Sequence, residues 1–439
     1  MFAYYLKLGL RSLRRNPVLT VLMVLTLAVG VATSMSTLTV MRAMSGDPIP
    51  SKSDRLIAVQ VNNQPTPEDG GEVDYVPPHQ SWLDLRELLA ADDAAGLRRT
   101  AMYAVGGVVE LEGDLGNQLV SGMAVDADFF AMFEAPFAHG GAWSADADAR
   151  GANQVVLSAA FARRLFGDED PTGRRLRMFE REYVITGVLA AWQPMPKYYW
   201  LIGGDNRFSE TDDVFIPLRN AITNEAGPDG RVNCSGDGPE PGFEAFVNSE
   251  CVFMQYWVEL ADAGDRDAYL ERLRGHVAAQ KALGRLPVGE TSRLLDVIEL
   301  MDDQEVLGDD TVLQTLLAAG FLLVCIVNTV GLLLAKFTAH AGEIGVRRAL
   351  GATRGQVFQQ YLVQASVVGA AGGLIGLGLT FGGLWVLAQQ SSEVAAVAHM
   401  SPTMLLATVG TAIAAAVLAG LLPTWRACQV APAIQLKTQ

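Results

Sequence analysis

The sequence predicts an α+β membrane protein, with four transmembrane helices and a large mixed α/β extracytoplasmic domain inserted between the first and the second. Three observations carry this prediction: four long charge-free runs, the Lys and Arg residues beside them, and the strand- and helix-like periodicities between the first two runs.

No Asp, Glu, Lys or Arg occurs between Arg15 and Arg42, Asp310 and Lys336, Arg354 and Glu393, or Glu393 and Arg426. Each run exceeds the ~20 apolar residues a helix needs to cross ~30 Å of hydrocarbon. Buried helices of a soluble core rarely stay free of charge over four such runs. The first apolar stretch, Val18 to about Val40, is longer than the ~7–15-residue core of a cleaved signal peptide, so it reads as a retained span. The transmembrane helices are placed at 18–43, 311–336, 357–388 and 403–424. Segment 1–17 reads as a cytoplasmic amphipathic helix, 44–310 as the extracytoplasmic domain and 337–356 as a cytoplasmic helix and loop. Segment 389–402 reads as a short external loop and 425–439 as a cytoplasmic tail.

Basic residues near the membrane ends set the orientation. Lys7, Arg11, Arg14 and Arg15 precede the first span, Lys336, Arg347, Arg348 and Arg354 lie between the second and third, and Arg426 and Lys437 follow the fourth. These three segments hold ten of the 33 Lys and Arg but only Glu343 of the 48 Asp and Glu, which places both termini in the cytoplasm. The formal net charge of −15 therefore belongs to the external domain, and it argues against nucleic-acid binding.

Within that domain Arg55–Val61, Val105–Glu112, Gln118–Val125, Asp213–Leu218, Val252–Leu260 and Leu294–Leu300 read as strands. Arg174–Met178 and Glu182–Leu189 read as a paired hairpin. Ser81–Ala90 has helical periodicity behind an N-cap at Ser81, NQVVLSAAFARRLFG reads as a strand leading into a helix that stops at Gly167, and Asp265–Leu283 reads as a charged amphipathic helix. Single cores rarely grow beyond ~250 residues, so the length argues for two lobes. Cys234 and Cys251 are the only cysteines in this segment, and an oxidising compartment permits a disulfide that closes the loop containing GDGPEPG. The aromatic segment Trp192–Trp200 is expected to cap a local core, and Asp92–Asp93, Asp212–Asp213 and Asp302–Asp303 are expected to be solvated charge.

The third run holds Gly369, Gly372, Gly373, Gly376, Gly378, Gly382 and Gly383, and the first holds Gly30 and Ser34. Small residues at this spacing let helix backbones approach closely in lipid, so Gly30, Ser34, Gly369, Gly373 and Gly376 are expected at helix contacts. Asn328, polar inside the second run, is expected to bond to a neighbouring helix.

The segment Ala341–Ser366 is the most informative. Glu343 and Arg347 stand at i,i+4 on a short helix in the order the helix dipole favours. Gly351 permits a turn, and Thr353 with Gln356 forms a capping box for the third span. Physics alone leaves two readings: a helix that takes a push from a soluble partner, or a basic loop that only sets topology.

EIGVRRALGATRGQV in this position resembles the hallmark of the MacB/FtsX-type (type VII) ABC transporter permease family. LGLRSLRRNPVLTVLMVLTLAVGVA resembles that family's entry helix and first span, and GLLPTWRACQVAPAIQLK its closing pattern. VVLSAAFARRLFGDEDPTGRRLRM followed by EYVITGVL is similar to the MacB-like periplasmic core domain. The resemblance covers both ends and part of the middle, and thins between Trp192 and Cys251. It implies a permease in the bacterial inner membrane that converts ATP hydrolysis into movement of its periplasmic domain for export. Glu343, Ile344, Arg347, Arg348, Leu350 and Gly351 would form a coupling helix that docks on an ABC ATPase dimer, with ATP and Mg bound by that partner. A second permease copy or a paralogous permease would complete the complex, with a periplasmic adaptor as a further partner and the lipid bilayer around the spans. The alternative within the family is an FtsX-like regulator that passes ATPase strokes to an extracytoplasmic hydrolase without transport.

No G-x-x-x-x-G-K-[ST] segment occurs, and Gly-Lys is absent from the sequence, so no cofactor and no enzyme activity are expected of these residues and ATPase activity is expected in trans. His79, His139, His276, His340 and His399 lack metal-type spacing, and no G-x-S-x-G marks a nucleophile.

Overall fold

The charge-free runs have no way to satisfy their backbone in lipid except as helices. In the computed structural model, which describes residues 16–62, 78–110, 116–201, 205–234, 238–283, 292–339, 341–390 and 402–429, each run contains one long helix. Four helices are long and apolar enough to cross a membrane: α1 (Pro17–Ser45), then, beyond the inserted domain, the helices starting at Asp309, Arg354 and Pro402. The chain forms two compact units, Gly46–Val306 and the remainder. Most of the amphipathic helix expected over 1–17, most of the loop over 389–402 and the end of the tail lie outside the described residues.

The inserted unit is built on one sheet. In chain order it contains β1 (Leu56–Val61), β2 (Gln80–Ser81), α2 (Trp82–Ala94), β3 (Arg98–Glu110), β4 (Gln118–Val125), α3 (Phe129–Met132), β5 (Phe137–Gly140), α4 (Ala145–Ala149), β6 (Gln154–Leu157) and α5 (Ala159–Phe166). It continues through β7 (Arg175–Met178), β8 (Arg181–Leu189), β9 (Val214–Pro217), α6 (Leu218–Thr223), α7 (Phe243–Val247), β10 (Val252–Glu259), α8 (Arg266–Ala282), β11 (Ser292–Leu295) and α9 (Val297–Asp303). The strand order is β11-β1-β10-β3-β4-β9-β6-β8-β5, with β2 paired to β10 and β7 to both β3 and β8. Neighbours are antiparallel except β4 with β9 and β6 with β8.

The expected two lobes are not separate. The 13-residue β3 pairs with β10 through Arg98–Met102, with β7 at Val109 and Glu110, and with β4 along Met102–Val109. One strand thus runs unbroken through the middle of the sheet. Leu294–Leu300 also departs from expectation, because β11 ends at Leu295. Asp296 then caps α9: its carboxylate accepts from Glu299 N–H (2.8 Å), and the Glu299 carboxylate accepts from Asp296 N–H (3.0 Å). That capping box stops the strand where hydrophobicity alone would continue it.

The aromatic segment lies in the core, with Tyr198, Tyr199 and Trp200 buried and Trp192 stacked on Tyr199 at 5.3 Å. Two of the carboxylates expected in solvent are interior. Asp212 accepts from Lys197 Nζ (2.8 Å) and Tyr199 Oη (3.0 Å), so its charge is matched by a buried cation. Asp92 is fully buried, accepts from the hydroxyls of Tyr256 and Tyr269, and pairs with Arg272, which ties α2, β10 and α8 together. Unpaired, either charge would be too costly to bury. Cys234 and Cys251 form a disulfide across 17 residues of chain.

Asp148, at the end of α4, shows the same economy under opposing demands. Burial and the nearby Asp126 charge push its carboxyl up to about 6, while donation from Ala127 N–H and Trp143 Nε1 (2.8 Å each) pulls the other way. An unfolded Asp titrates near ~3.9, so the folded chain binds the extra proton between about pH 4 and 6. The stability this proton contributes is present below pH 4 and is lost as pH rises through 6, by on the order of 2 kcal/mol. Denaturant unfolding of wild type and Asp148→Asn across pH 4–7 should show a flatter profile in the variant. Parallel profiles would refute the assignment.

Candidate functional site

The second span, α10 (Asp309–Ala339), is followed by α11 (Ala341–Ala349), the third span α12 (Arg354–Gln390) and the fourth span α13 (Pro402–Gln429). The sequence-predicted coupling residues gather on α11 and the turn after it. Glu343 and Arg347 pair at 2.7 Å along one face. Arg347 also reaches beyond its own helix, where Nη1 donates to Gln360 Oε1 on α12 at 2.8 Å. The guanidinium fork thus joins the short helix to the first turns of the third span.

The turn is closed by backbone bonds from Leu350 N–H to Val346, Gly351 N–H to Arg348 and Ala352 N–H to Arg347. Gly351 sits at φ +102°, a conformation that side chains other than glycine rarely adopt. Thr353 and Gln356 then cap α12 reciprocally, at 3.0 and 3.3 Å. The link is therefore a defined helix–turn–helix.

Its outward face is apolar. Leu350 is 84% exposed and Val346 50%, whereas Arg347 is half-buried in its own bonds. Arg347, expected on the sequence as a partner contact, also braces the link internally. Arg348 is half-buried on the same helix, and Ile344 lies within it. Gln360 and Val346 escaped sequence reasoning. The available signal was the polar i,i+4 pair Gln356–Gln360 on an otherwise apolar helix start.

Beneath the link the spans share one core: Met23, Val24 and Leu27 of α1, Leu333 and Phe337 of α10, Val357, Tyr361 and Val368 of α12, and Ala415, Ala416 and Ala419 of α13. Phe337 and Tyr361 meet edge to face at 4.4 Å. Glycines set the spacing. A Cβ added at Gly369 would stand 2.5 Å from Ala416 Cβ, and at Gly373 2.9 Å from Ala412 Cβ, so this row faces α13. One at Gly376 would stand 3.1 Å from Ala28 O, and at Gly372 3.2 Å from Leu27 Cβ, so the second row faces α1. Gly378 and Gly382 meet nothing within 4 Å.

Helices α1 and α10 are joined in the same way. Gly30 admits Cys325, 2.9 Å from where its Cβ would be, and Ser34 Oγ donates to the Ala318 carbonyl at 2.8 Å. Ser34 is thus a hydrogen-bonding contact rather than only a small residue. Asn328 departs from expectation: it is exposed and, among the described residues, without a bond to a neighbouring helix. Among the described residues, no three of His, Cys, Asp and Glu are placed to hold a metal ion.

Two family descriptions match this chain: MacB-like periplasmic core domain over residues 20–276, and FtsX-like permease C-terminal over residues 315–432. The macrolide export ATP-binding/permease protein MacB of Azoarcus sp. (strain BH72) is 24% identical over 436 residues, covering 98% of this chain and 59% of that protein. The protein of the same name from Rhodospirillum rubrum is 25% identical over 447 residues, covering 100% and 61%. An uncharacterized ABC transporter permease, YknZ of Bacillus subtilis, is 34% identical over 95 residues, covering 20% of this chain and 24% of that one. The chain thus spans about three fifths of the length of those two MacB relatives. Among solved structures, the periplasmic region of MacB from Actinobacillus actinomycetemcomitans aligns at 10% identity and a TM-score of 0.37, covering 58% of this chain and 95% of that one.

Replacing Gly369 by Leu should cost about 1–3 kcal/mol in detergent unfolding by forcing α12 from α13. Gly378→Leu should stay within about 0.5 kcal/mol. Equal losses at both positions would mean that the glycine rows do not set the packing. Gln360→Ala should speed amide exchange at Leu350–Ala352 several-fold. Unchanged protection there would remove Gln360 from the brace.

Proposed function

This chain belongs to the MacB/FtsX-type (type VII) ABC transporter permease family, and on that premise we propose that it is the transmembrane permease subunit of an export complex driven by a separate ATPase. As a family member it is a multi-pass membrane protein with a MacB-like periplasmic domain between its first two spans.

One observation carries the coupling reading: the link after α10 presents exposed Leu350 and Val346 outward while Arg347 and Gln360 fasten it to α12. An apolar patch on a braced helix suits docking into a groove of a soluble partner. A force applied there reaches α10 and α12 together, since Phe337 and Tyr361 pack on each other under the link. The α1 and α10 helices, clamped at Gly30–Cys325 and Ser34–Ala318, are the two that lead into and out of the inserted domain. ATP binding and hydrolysis by the partner would thereby move that domain.

With the basic segments inside, the termini and the link lie in the cytoplasm of a bacterial inner membrane and the acidic domain lies outside. A second permease, identical or paralogous, completes the pair that faces an ATPase dimer. The extent of the periplasmic core match, residues 20–276, supports export over a division-type regulator. Macrolide export is the activity in the names of the two MacB relatives, and it makes macrolides the first cargo to assay.

In proteoliposomes the chain alone should show no ATP hydrolysis, and addition of the separate ABC ATPase subunit should give a permease-dependent rate. Leu350→Asp should lower that dependence at least ~10-fold with insertion unchanged, since it places a charge in an apolar contact. Hydrolysis by the chain alone, or an unaffected Leu350→Asp, would overturn the assignment.

A further inference from the structure

We propose that a cavity of about 270 Å³ in the inserted domain, between Trp192, Tyr198 and Glu134, binds the ammonium end of an amphiphilic organic cation. Its role as a cargo site rests on the export reading above, whereas the binding itself does not.

The lining combines aromatic surface with one unmatched charge. Phe133, Trp192 and Tyr198 supply the rings, Pro48, Pro50 and Pro194 supply rigid apolar walls, and Glu134 supplies a carboxylate. Among the described residues no Lys or Arg lines the cavity. Lys52, next in the chain to Ser51 on the wall, is committed elsewhere: its Nζ donates to the Ala131 carbonyl at 2.8 Å and pairs with Glu259 at 3.0 Å. Burial and the charges of Glu134 and Asp47 push the Tyr198 phenol up, so negative potential reaches the buried wall. Rings beside a carboxylate favour an organic cation over a neutral or anionic group.

Backbone preference would not place Glu134 here. It stands at φ +50° two residues past α3, where Ala135 N–H closes the turn on the Phe130 carbonyl at 2.8 Å. That left-handed position at a helix end is most often glycine. Ser51 Oγ donates to Oε1 at 2.9 Å and so holds the carboxylate in place, while Oε2 has no partner among the described residues. The Tyr198 hydroxyl donates to the Phe133 carbonyl at 3.3 Å, so it ties two walls together and leaves the carboxylate as the charged contact. A side chain kept on a disfavoured backbone, with a charge that no cation of the fold matches, points to an external partner.

The cavity is joined to both chain connections of the domain. On one side its wall begins at Pro48, three residues after the last residue of α1. On the other, Lys197 N–H donates to the Arg207 carbonyl at 2.7 Å, and Arg207 Nη1 donates to the Glu305 carbonyl at 3.1 Å, four residues before α10 begins. Occupancy therefore bears on the segments that lead to and from the spans. The volume falls below the ~300–1,000 Å³ of sites that enclose a drug-sized ligand, so the cavity takes one end of the molecule.

The test titrates the full chain in nanodiscs with benzyltrimethylammonium and with benzyl alcohol as its neutral counterpart. The cation should bind about 5–10-fold tighter, and Trp192→Leu should weaken it several-fold. Glu134→Gln, which keeps an acceptor for Ser51, should remove most of the preference for charge. Asp229→Asn, an exposed carboxylate on another groove of the same domain, should leave that preference intact and so separates the site from general attraction to an acidic surface. Equal or absent binding of the two probes, or a preference that survives Glu134→Gln, overturns the site; the export reading stands if the chain still gives permease-dependent ATP hydrolysis with the separate ATPase. Phosphocholine binding as tightly as benzyltrimethylammonium makes this a lipid-headgroup site and overturns the cargo assignment. Charge-selective binding at Glu134 without permease-dependent hydrolysis keeps the site and overturns the export reading.

Discussion

The close approach of α12 to two neighbours at once underlies the rest of the membrane unit. In lipid there is no hydrophobic drive to hold helices together, so contact must come from packing at short range. Two offset glycine rows supply it. Gly369 and Gly373 admit α13, and Gly372 and Gly376 admit α1. With α12 fixed in this way, Tyr361 stands against Phe337 of α10 and Gln360 stands where Arg347 can reach it. The link between α10 and α12 is thus tied to a packed anchor.

That arrangement changes what Arg347 does. On the sequence it looks like a charge offered to a partner, as part of a basic face. In the fold its fork is spent on Glu343 and Gln360, and the outward surface belongs to Leu350 and Val346. An apolar outward face with internal polar bracing is a physically consistent division, since exposed ion pairs hold little energy.

The inserted domain follows a different logic. Its sheet is continuous through β3, and its interior tolerates carboxylates where each finds its own donors: Asp92 with two tyrosines and Arg272, Asp212 with Lys197 and Tyr199, Asp148 with an indole and a backbone amide. The Asp92 pairings connect segments far apart in the chain and the other two tie neighbouring segments, so a domain of strongly acidic composition still closes around a packed aromatic core.

By itself the sequence determined the four spans, the insertion between the first two, the i,i+4 pair Glu343–Arg347 and the capping box Thr353–Gln356. All of these rest on local periodicity, charge and spacing, and local interactions are legible in a linear string. Most strands of the domain were legible for the same reason. Tertiary structure alone decided which glycine row faces which helix, that Arg347 turns to Gln360, that Asp92 and Asp212 are interior, and that β3 joins what length alone would divide. Each depends on a partner distant in sequence. Asn328 stands between the two cases. Its polarity within an apolar run was plain from the chain, but only the packed helices show that it stays exposed, lining a groove beside α1.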